Sequence, residues 1–309
     1  MLQICLPQRT GLATEHGNPV PFDQAMVPLV FGAVNIEASG IVWDEQTDSY
    51  LVVTDEAIND ETLVFRIDKN GQVLHALSIA DKSDVDDLES ISLEGGYAYL
   101  LTSLSPKRNK KFKRRRKQFV RLQYTGGEFL SNETVNLYKV LKKISKDENI
   151  DRATQQFLAK CVDKQGLEIE AHAVKEEMLY LGFKQPDKNN GGSTILQVSD
   201  INQVFSGEYH DAKIWRKFNL TEPDSGETTL LTDMAFSADQ LYLLSASRNA
   251  SNRASHLWRY NLSTEKLMHL TSFPDLLAEG ISITDDQASI VFDGGGINPS
   301  YFFKLNIDP

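Results

Sequence analysis

Acidic residues recur in this chain at a fixed distance from a second polar residue, and this spacing indicates a shared site. Five segments each begin with an acid, pass through a short apolar strand and a turn, and end a second apolar strand on a polar residue. The five acids are Glu37, Glu89, Glu170, Asp233 and Glu279. In four segments the closing residue lies fourteen positions after the acid, at Ser103, Lys184, Ser247 and Asp293, and the first segment closes at Asp55. Because paired strands bring their outer ends together, each acid is expected beside its closing residue.

Repetition of this hairpin around an axis would collect the carboxylates into one ring. Such a cluster of like charges is unfavourable unless a metal or an opposite charge neutralises it. Calcium accepts 6–8 oxygen ligands from carboxylates and carbonyls, so the ring predicts bound Ca²⁺. The predicted metal ligands are Glu37, Glu89, Glu170, Asp233, Glu279, Asp55 and Asp293. The alternative is structural, since the same acids can accept backbone N–H bonds from a neighbouring repeat and lock the repeats together.

The same rim contains residue types that bind ligands or transfer protons. Glu170 or Glu279 is predicted to act as a general base. His172 lies two positions after Glu170, which in a strand places both side chains on one face, and it is predicted as a base or metal ligand; a buried, hydrogen-bonded structural histidine is the alternative. A small anionic ligand is predicted to bind at four closing or adjacent residues, namely Lys184, Arg248, Ser103 and Ser247.

The elements that carry these residues are almost all strands. After its acid, the first segment continues with the apolar runs Leu63 to Ile67 and Val73 to Ile79, which gives four strands in sequence. Four antiparallel strands per repeat are typical of a β-propeller blade. The sequence therefore predicts an all-β propeller of five blades, with six as the alternative, in a single domain over residues 1–309. The run from Val27 to Val34 is predicted to complete the last blade and so to close the ring.

Two stretches between Glu89 and Glu170 have helical rather than alternating spacing of apolar residues. They run from Glu133 to Ser145 and from Asp151 to Val162, and they predict a helical insertion around residues 133–162. In the first stretch one helical face would hold Leu137, Val140, Leu141 and Ile144.

Composition bounds the function. The 309-residue chain carries a formal net charge of −11 and only two cysteines, which argues against a disulfide scaffold, a zinc knuckle or general nucleic-acid coating. No apolar run is long enough for a membrane span, and the first residues do not have the pattern of a signal peptide, so a cytoplasmic location is expected.

One basic segment departs from this acidic composition. Nine Lys or Arg residues lie between Lys107 and Lys117. The segment is predicted either to bind a polyanion or to form a solvated loop. Sequence-specific binding of nucleic acid is not expected, because no recognition helix is evident.

Three segments carry a family resemblance that begins at about Ser39. They are DDLESISLEGGYAYLLTSLS, KQGLEIEAHAVKEEMLYLGFKQP and LLAEGISIT. They resemble the lEGia-type repeats of a bacterial domain family of unknown function, which is itself similar to esterase-like phytase domains and other propellers. The resemblance implies a propeller with hydrolase ancestry and no particular substrate. The chain keeps the Glu-Gly pair only at Glu279 and Gly280, with Ser90, Ala171 and Met234 at the corresponding positions.

Two functions follow from these patterns. The first is a metal-dependent hydrolase of a phosphoester, lactone or related ester, in which Ca²⁺ polarises the substrate and a rim carboxylate acts as base. The second is a non-enzymatic binding module that holds a protein or polyanion at the rim or at the basic segment. A propeller supports either function.

Overall fold

The computed structural model describes residues 15–16, 26–55, 58, 61–79, 85–105, 113–163, 167–184, 192–207, 211–247, 253–294 and 298–307. In these ranges the strands form five antiparallel sheets that are arranged as blades around one axis. The predicted five-bladed propeller is therefore confirmed. Between neighbouring blades lies an apolar core, such as the cluster that joins Leu51 and Val53 of blade 1 to Leu100 and Val120 of blade 2.

The strands of each blade run outwards from the axis in chain order. Blade 1 comprises Ala38–Asp44, Ser49–Thr54, Leu63–Ile67 and Val73–Ser78. Blade 2 comprises Leu88–Glu94, Tyr97–Thr102, Gln118–Thr125 and Glu128–Asn136. Blade 3 comprises Ile169–Lys175, Met178–Phe183, Ser193–Val198 and Ala212–Phe218. Blade 4 comprises Thr229–Ser237, Gln240–Ser247, Ser255–Asn261 and Leu267–Phe273, with Glu15–His16 added in parallel at its edge. Blade 5 comprises Leu277–Thr284, Gln287–Asp293 and Tyr301–Asn306.

The ring closes by pairing an early strand with the last blade. Val27–Pro28 pairs antiparallel with Tyr301 and Phe302 and becomes the outer strand of blade 5. The predicted closing strand is thus confirmed for its first two residues and is wrong for the rest of the run to Val34. The innermost strand of blade 5 packs against that of blade 1, so the five inner strands form a continuous circle. The strands Val30–Phe31 and Val34–Asn35 form a separate small hairpin after this closing strand.

The helical insertion lies between blades 2 and 3. Helix α1 spans Leu137–Ile144 and α2 spans Arg152–Asp163, and both pack into an apolar cluster shared with those two blades. The predicted start of the first helix at Glu133 is wrong. Residues up to Asn136 still belong to the outer strand of blade 2, which pairs with the strand that begins at Gln118. A third helix, α3, spans Ile201–Ser206. No helix within the described ranges has the length and apolar character that crossing a membrane requires.

A buried arginine ties blade 1 to blade 2. The Arg66 guanidinium is 2.9 Å from the Asp44 carboxylate and donates to the Ser49 hydroxyl at 2.8 Å, both within blade 1. It also donates to the Tyr124 hydroxyl at 2.7 Å and to the Gly127 carbonyl at 2.8 Å, both in blade 2. Both terminal nitrogens of the guanidinium, Nη1 and Nη2, thereby donate hydrogen bonds in a site that is almost closed to solvent. The Arg66–Asp44 pair therefore forms a rigid link between the two blades.

The glycines of the inner strands serve the close approach of blades 5 and 1. A Cβ atom added to Gly280 would lie 2.8 Å from the Gly40 Cα, and one added to Gly40 would lie 2.9 Å from the Ser90 Cα. Neighbouring backbone, and not a ligand, therefore fills the space beside the Glu279-Gly280 pair. The small residues Ser90 and Ala171 meet the same steric requirement in blades 2 and 3.

Candidate functional site

A β-bulge interrupts the innermost strand of every blade near its beginning. In blade 2, Leu88 pairs with Thr102 and Ser90 with Leu101, so Glu89 is the extra residue. The same count identifies Ser39, Glu170, Thr232 and Glu279 as the extra residues of the other four blades. Bulges redirect a side chain out of the regular alternation, which explains how an acid in a buried strand faces the axis.

The bulges correct the alignment of the five acids. Glu89, Glu170 and Glu279 occupy equivalent positions, as predicted. Equivalence is wrong for Glu37, which precedes the inner strand of blade 1 by one residue, and for Asp233, which follows the bulge residue Thr232. The sequence spacing assigned both acids to the bulge position, but the bulge does not require an acid. In blades 1 and 4 the bulge residue is a hydroxyl residue, and the acid lies near it in the sequence.

A cavity of about 420 Å³ opens at this end of the axis, and we call it the acidic mouth. It is lined by six carboxylates and one ammonium group together with two small residues. These residues are Glu37, Asp55, Glu89, Glu170, Glu279, Asp293, Lys184, Ala38 and Ser39. The predicted pairing of acids with closing residues thus brings Lys184 to the mouth from blade 3, Asp55 from blade 1 and Asp293 from blade 5.

Burial and mutual repulsion shift the proton affinities of two mouth acids. Burial, with the nearby Glu170 carboxylate, raises the pKa of Glu89 well above its usual value. Burial also raises the pKa of Glu279 to about 7, with Lys184 opposing the shift and Glu170 adding to it. Near neutral pH Glu279 is consequently poised between its protonated and ionised forms.

Lys184 supplies the positive charge of the mouth. Its Nζ lies 3.4 Å from Glu170 Oε2, and its side chain is 28% exposed. Burial alone would lower the pKa of the ammonium group, but the carboxylates of Glu170, Glu279 and Glu89 raise it above its usual value. Lys184 therefore stays charged and supplies the opposite charge that a cluster of acids requires.

Asp233 does not line the acidic mouth, and its side chain instead contacts two other blades. Its carboxylate accepts the Ile281 backbone N–H of blade 5 at 2.8 Å and lies 3.4 Å from the Ser90 hydroxyl of blade 2. This is the structural role that was the alternative to metal binding. Burial raises the pKa of Asp233 well above its usual value.

We expect the raised pKa of the buried Asp233 carboxyl to make the free energy of unfolding depend on pH. A raised pKa in the folded state means that the folded chain holds the proton at pH values where the unfolded chain has released it. The stabilisation is complete below about pH 4 and is lost as pH rises through the folded pKa, by about 1.4 kcal/mol per unit of pKa difference. Wild type should therefore lose unfolding free energy relative to Asp233→Asn as the pH rises above about 4. Denaturant unfolding of both chains measures this, and a constant difference would show that Asp233 is not shifted.

His172 lies apart from the acids. It lines a second cavity of about 480 Å³ that has no lining residue in common with the acidic mouth. Its ring Nε2 lies 2.9 Å from the Ser92 hydroxyl, and burial lowers its pKa to about 3. The bulge at Glu170 interrupts the strand alternation that would have placed Glu170 and His172 on the same face. His172 also lies two residues further along the inner strand, about 7 Å further down the axis from the acidic mouth. His172 is a buried neutral imidazole in this structure, which is the alternative drawn from the sequence.

The other predicted ligand-binding residues are placed differently. The Ser103 hydroxyl donates to Asp87, and Ser103 does not line the mouth. Ser247 pairs with Thr229 at the end of its strand, and the residue equivalent to Lys184 in blade 4 is Ala246. Arg248 lies outside the described residues.

Two arginines near the mouth were missed in the sequence. Arg253 is 3.1 Å from the Asp293 carboxylate. Arg116, from the basic segment, pairs with Asp87 just before the inner strand of blade 2. A regular spacing could not reveal either residue, since both come from connections between strands and the five repeats differ most in those connections.

The donor set of the mouth does not match a metal site as it stands. Within the described residues, no group of three or more His, Cys, Asp or Glu side chains is arranged to hold a metal ion. Lys184 also occupies the side of Glu170 that a cation would share. Calcium at this mouth therefore stays a prediction.

The fold is similar to solved structures of glycoside hydrolases. A thermostable family-43 glycoside hydrolase matches with a TM-score of 0.53 and 9% identity, over 91% of this chain and 92% of that chain. An endo-arabinase from Bacteroides thetaiotaomicron matches with a TM-score of 0.50 and 11% identity, over 93% and 98% of the two chains. A family-43 β-1,3-galactosidase with galactodeoxynojirimycin matches with a TM-score of 0.50 and 11% identity, over 89% and 91%. At these identities the likeness shows the fold alone.

No protein-family model and no curated protein sequence matches the chain. The propeller implied by the lEGia-type repeats is confirmed by the five blades, whereas membership of that bacterial family stays a prediction.

Proposed function

We propose that this protein is a hydrolase that cleaves a glycosidic bond at the acidic mouth. The observation that carries the proposal is the pair formed by Glu279, whose pKa is raised to about 7, and Glu170, whose charge is offset by Lys184, in one open cavity. Glycoside hydrolysis uses two carboxyl groups, one of which donates a proton while the other acts as base or nucleophile. The similarity of the fold to glycoside hydrolases supports this substrate class over the phosphoester or lactone predicted from the sequence.

In this proposal the two carboxyl groups have different tasks. Glu279 gives its proton to the leaving oxygen as the bond between that oxygen and the anomeric carbon breaks. Glu170 takes a proton from the attacking water or itself attacks the carbon, and the anomeric form of the product distinguishes these two routes. Glu279 is assigned as the acid because a proton donor is most effective when its pKa lies near the working pH. This assignment replaces the sequence-based prediction of Glu279 as a base.

Glu89 and the flanking acids complete the proposed site. The raised pKa of Glu89 favours the protonated form of this carboxyl, and that form would offer a hydrogen-bond donor to a sugar hydroxyl. Asp55 and Asp293 line the same cavity and offer acceptors for further hydroxyl groups. No metal ion enters these steps.

A substrate panel tests the proposal. Purified protein would be incubated with arabinose- and galactose-containing oligosaccharides and with aryl glycosides, and in parallel with aryl phosphates, aryl esters and lactones. Release of sugar that is lost in both Glu170→Gln and Glu279→Gln supports glycoside hydrolysis. Cleavage confined to the phosphates, esters or lactones would contradict the proposal and support the substrate class predicted from the sequence. Inactivity on the whole panel would also refute the proposal.

Calcium binding at the mouth is tested separately. If Ca²⁺ binds the carboxylates, added Ca²⁺ should raise the melting temperature of wild type, a chelator should reverse the rise, and Glu170→Gln should weaken the response. A melting temperature that neither addition moves would contradict the sequence-based prediction of Ca²⁺.

A further inference from the structure

A third cavity, at the outer rim of blade 2, is lined by basic residues. Its volume is about 580 Å³, and we call it the basic cavity. Three of its six lining residues are cationic and three are neutral hydrogen-bonding residues, and none is acidic. They are Arg114, Lys117, Lys139, Gln118, Thr134 and Asn136.

Two separate elements bring these positive charges together. Arg114 and Lys117 lie on the 3₁₀-helix Arg114–Lys117, where a spacing of three residues places both side chains on one face. Lys139 lies in the first turn of α1, which has no acidic residue in that turn. A cation at a helix N-terminus opposes the helix dipole and lowers helix stability, so Lys139 stands in an unfavourable position unless an anion is bound nearby.

The neighbouring charges repel one another. Burial lowers the pKa of Lys117, and the charges of Lys139 and Lys142 lower it further. A bound anion would relieve this repulsion, because an opposite charge stabilises the ammonium form.

The basic cavity and the acidic mouth lie at the same end of the propeller. Gln118 and Asn136 pair at the end of blade 2 where the inner strand also begins, beside Asp87. Arg116, on the other face of the same 3₁₀-helix, reaches Asp87. The 3₁₀-helix thus directs Arg116 towards the axis, and Arg114 and Lys117 towards the basic cavity.

We propose that the basic cavity binds a phosphate- or sulfate-bearing ligand. Guanidinium and ammonium groups are the usual partners of such tetrahedral oxyanions, and the Asn, Gln and Thr side chains add neutral hydrogen bonds. The cavity exceeds the size of one inorganic phosphate, which fits an oxyanion attached to a larger molecule. This site does not depend on the activity proposed for the mouth.

Calorimetric titration with inorganic pyrophosphate, phosphate and sulfate at constant ionic strength tests the site. Wild type should bind pyrophosphate, and Lys117→Gln and Lys139→Gln should each weaken binding at least about tenfold. Lys160→Gln, an equal charge change at an exposed position of α2, should leave binding unchanged. Lys139→Gln removes an unfavourable charge from a helix start and is expected to fold normally.

The competing outcomes are distinct. Binding of phosphate but not sulfate would indicate phosphate esters as ligands, and equal binding of both would indicate any tetrahedral oxyanion. A heat response that sodium chloride reproduces, or equal weakening by all three variants, would show general charge attraction and overturn the site.

Discussion

Glu279→Gln is expected to lower the rate of hydrolysis of an unactivated glycoside by about 10²- to 10⁴-fold, the usual contribution of a general acid. Glutamine has nearly the same shape as the glutamate it replaces but has no proton to give to the leaving oxygen. An aryl glycoside with a good leaving group needs little protonation, so its hydrolysis should fall much less. Initial rates on both substrate types measure this contrast.

The pH profile provides an independent test of the same residue. Because the pKa of Glu279 is raised to about 7, the wild-type rate on an unactivated glycoside should decrease about tenfold per pH unit above pH 7. Glu279→Gln should lose this decrease. Glu128→Gln, at an exposed strand end of blade 2, is the matched control and should keep both rate and profile. If Glu279→Gln keeps the wild-type rate on both substrate types, the proton donor is another residue.

Arg66→Met is expected to lower the unfolding free energy by about 3–5 kcal/mol, the range observed when one member of a buried ion pair is removed. The Asp44 carboxylate would remain 1% exposed without its guanidinium partner, and Tyr124 and Gly127 of blade 2 would lose a donor. Denaturant unfolding measures the loss. Arg152→Met, at the exposed start of α2, is the control and should change stability by no more than about 0.5 kcal/mol.

A double variant separates the ion pair from simple loss of packing. Asp44→Asn combined with Arg66→Met removes the uncompensated charge, so the double variant should be less destabilised than the sum of the single variants. Additive losses would show that the two side chains act independently and that the link between blades 1 and 2 has another origin.

Local patterns were sufficient to predict the repeating part of the fold. Alternating apolar residues and turn signals identified the strands Leu63–Ile67 and Val73–Ser78, and the start of the closing strand at Val27–Pro28. The four residues of the predicted helical face of α1 are all buried. These features depend on neighbours in sequence, so a single chain contains the information that predicts them.

The sequence by itself predicted that acids and closing residues would meet at one end of the hairpins, and six of the seven predicted carboxylates do line the acidic mouth, whereas Asp233 and its closing residue Ser247 do not. Only the tertiary structure decided which residue of each inner strand faces the axis, because a bulge shifts the alternation by one residue without any mark in composition. Thr232 takes the position expected of Asp233, and the carboxylate of Asp233 instead bonds to Ile281 of the next blade. Partners from distant segments, such as Arg253 for Asp293, follow from ring closure and not from spacing. The proton affinity of Glu279 likewise depends on burial and on charges brought from other blades, so it arises only when the ring is complete.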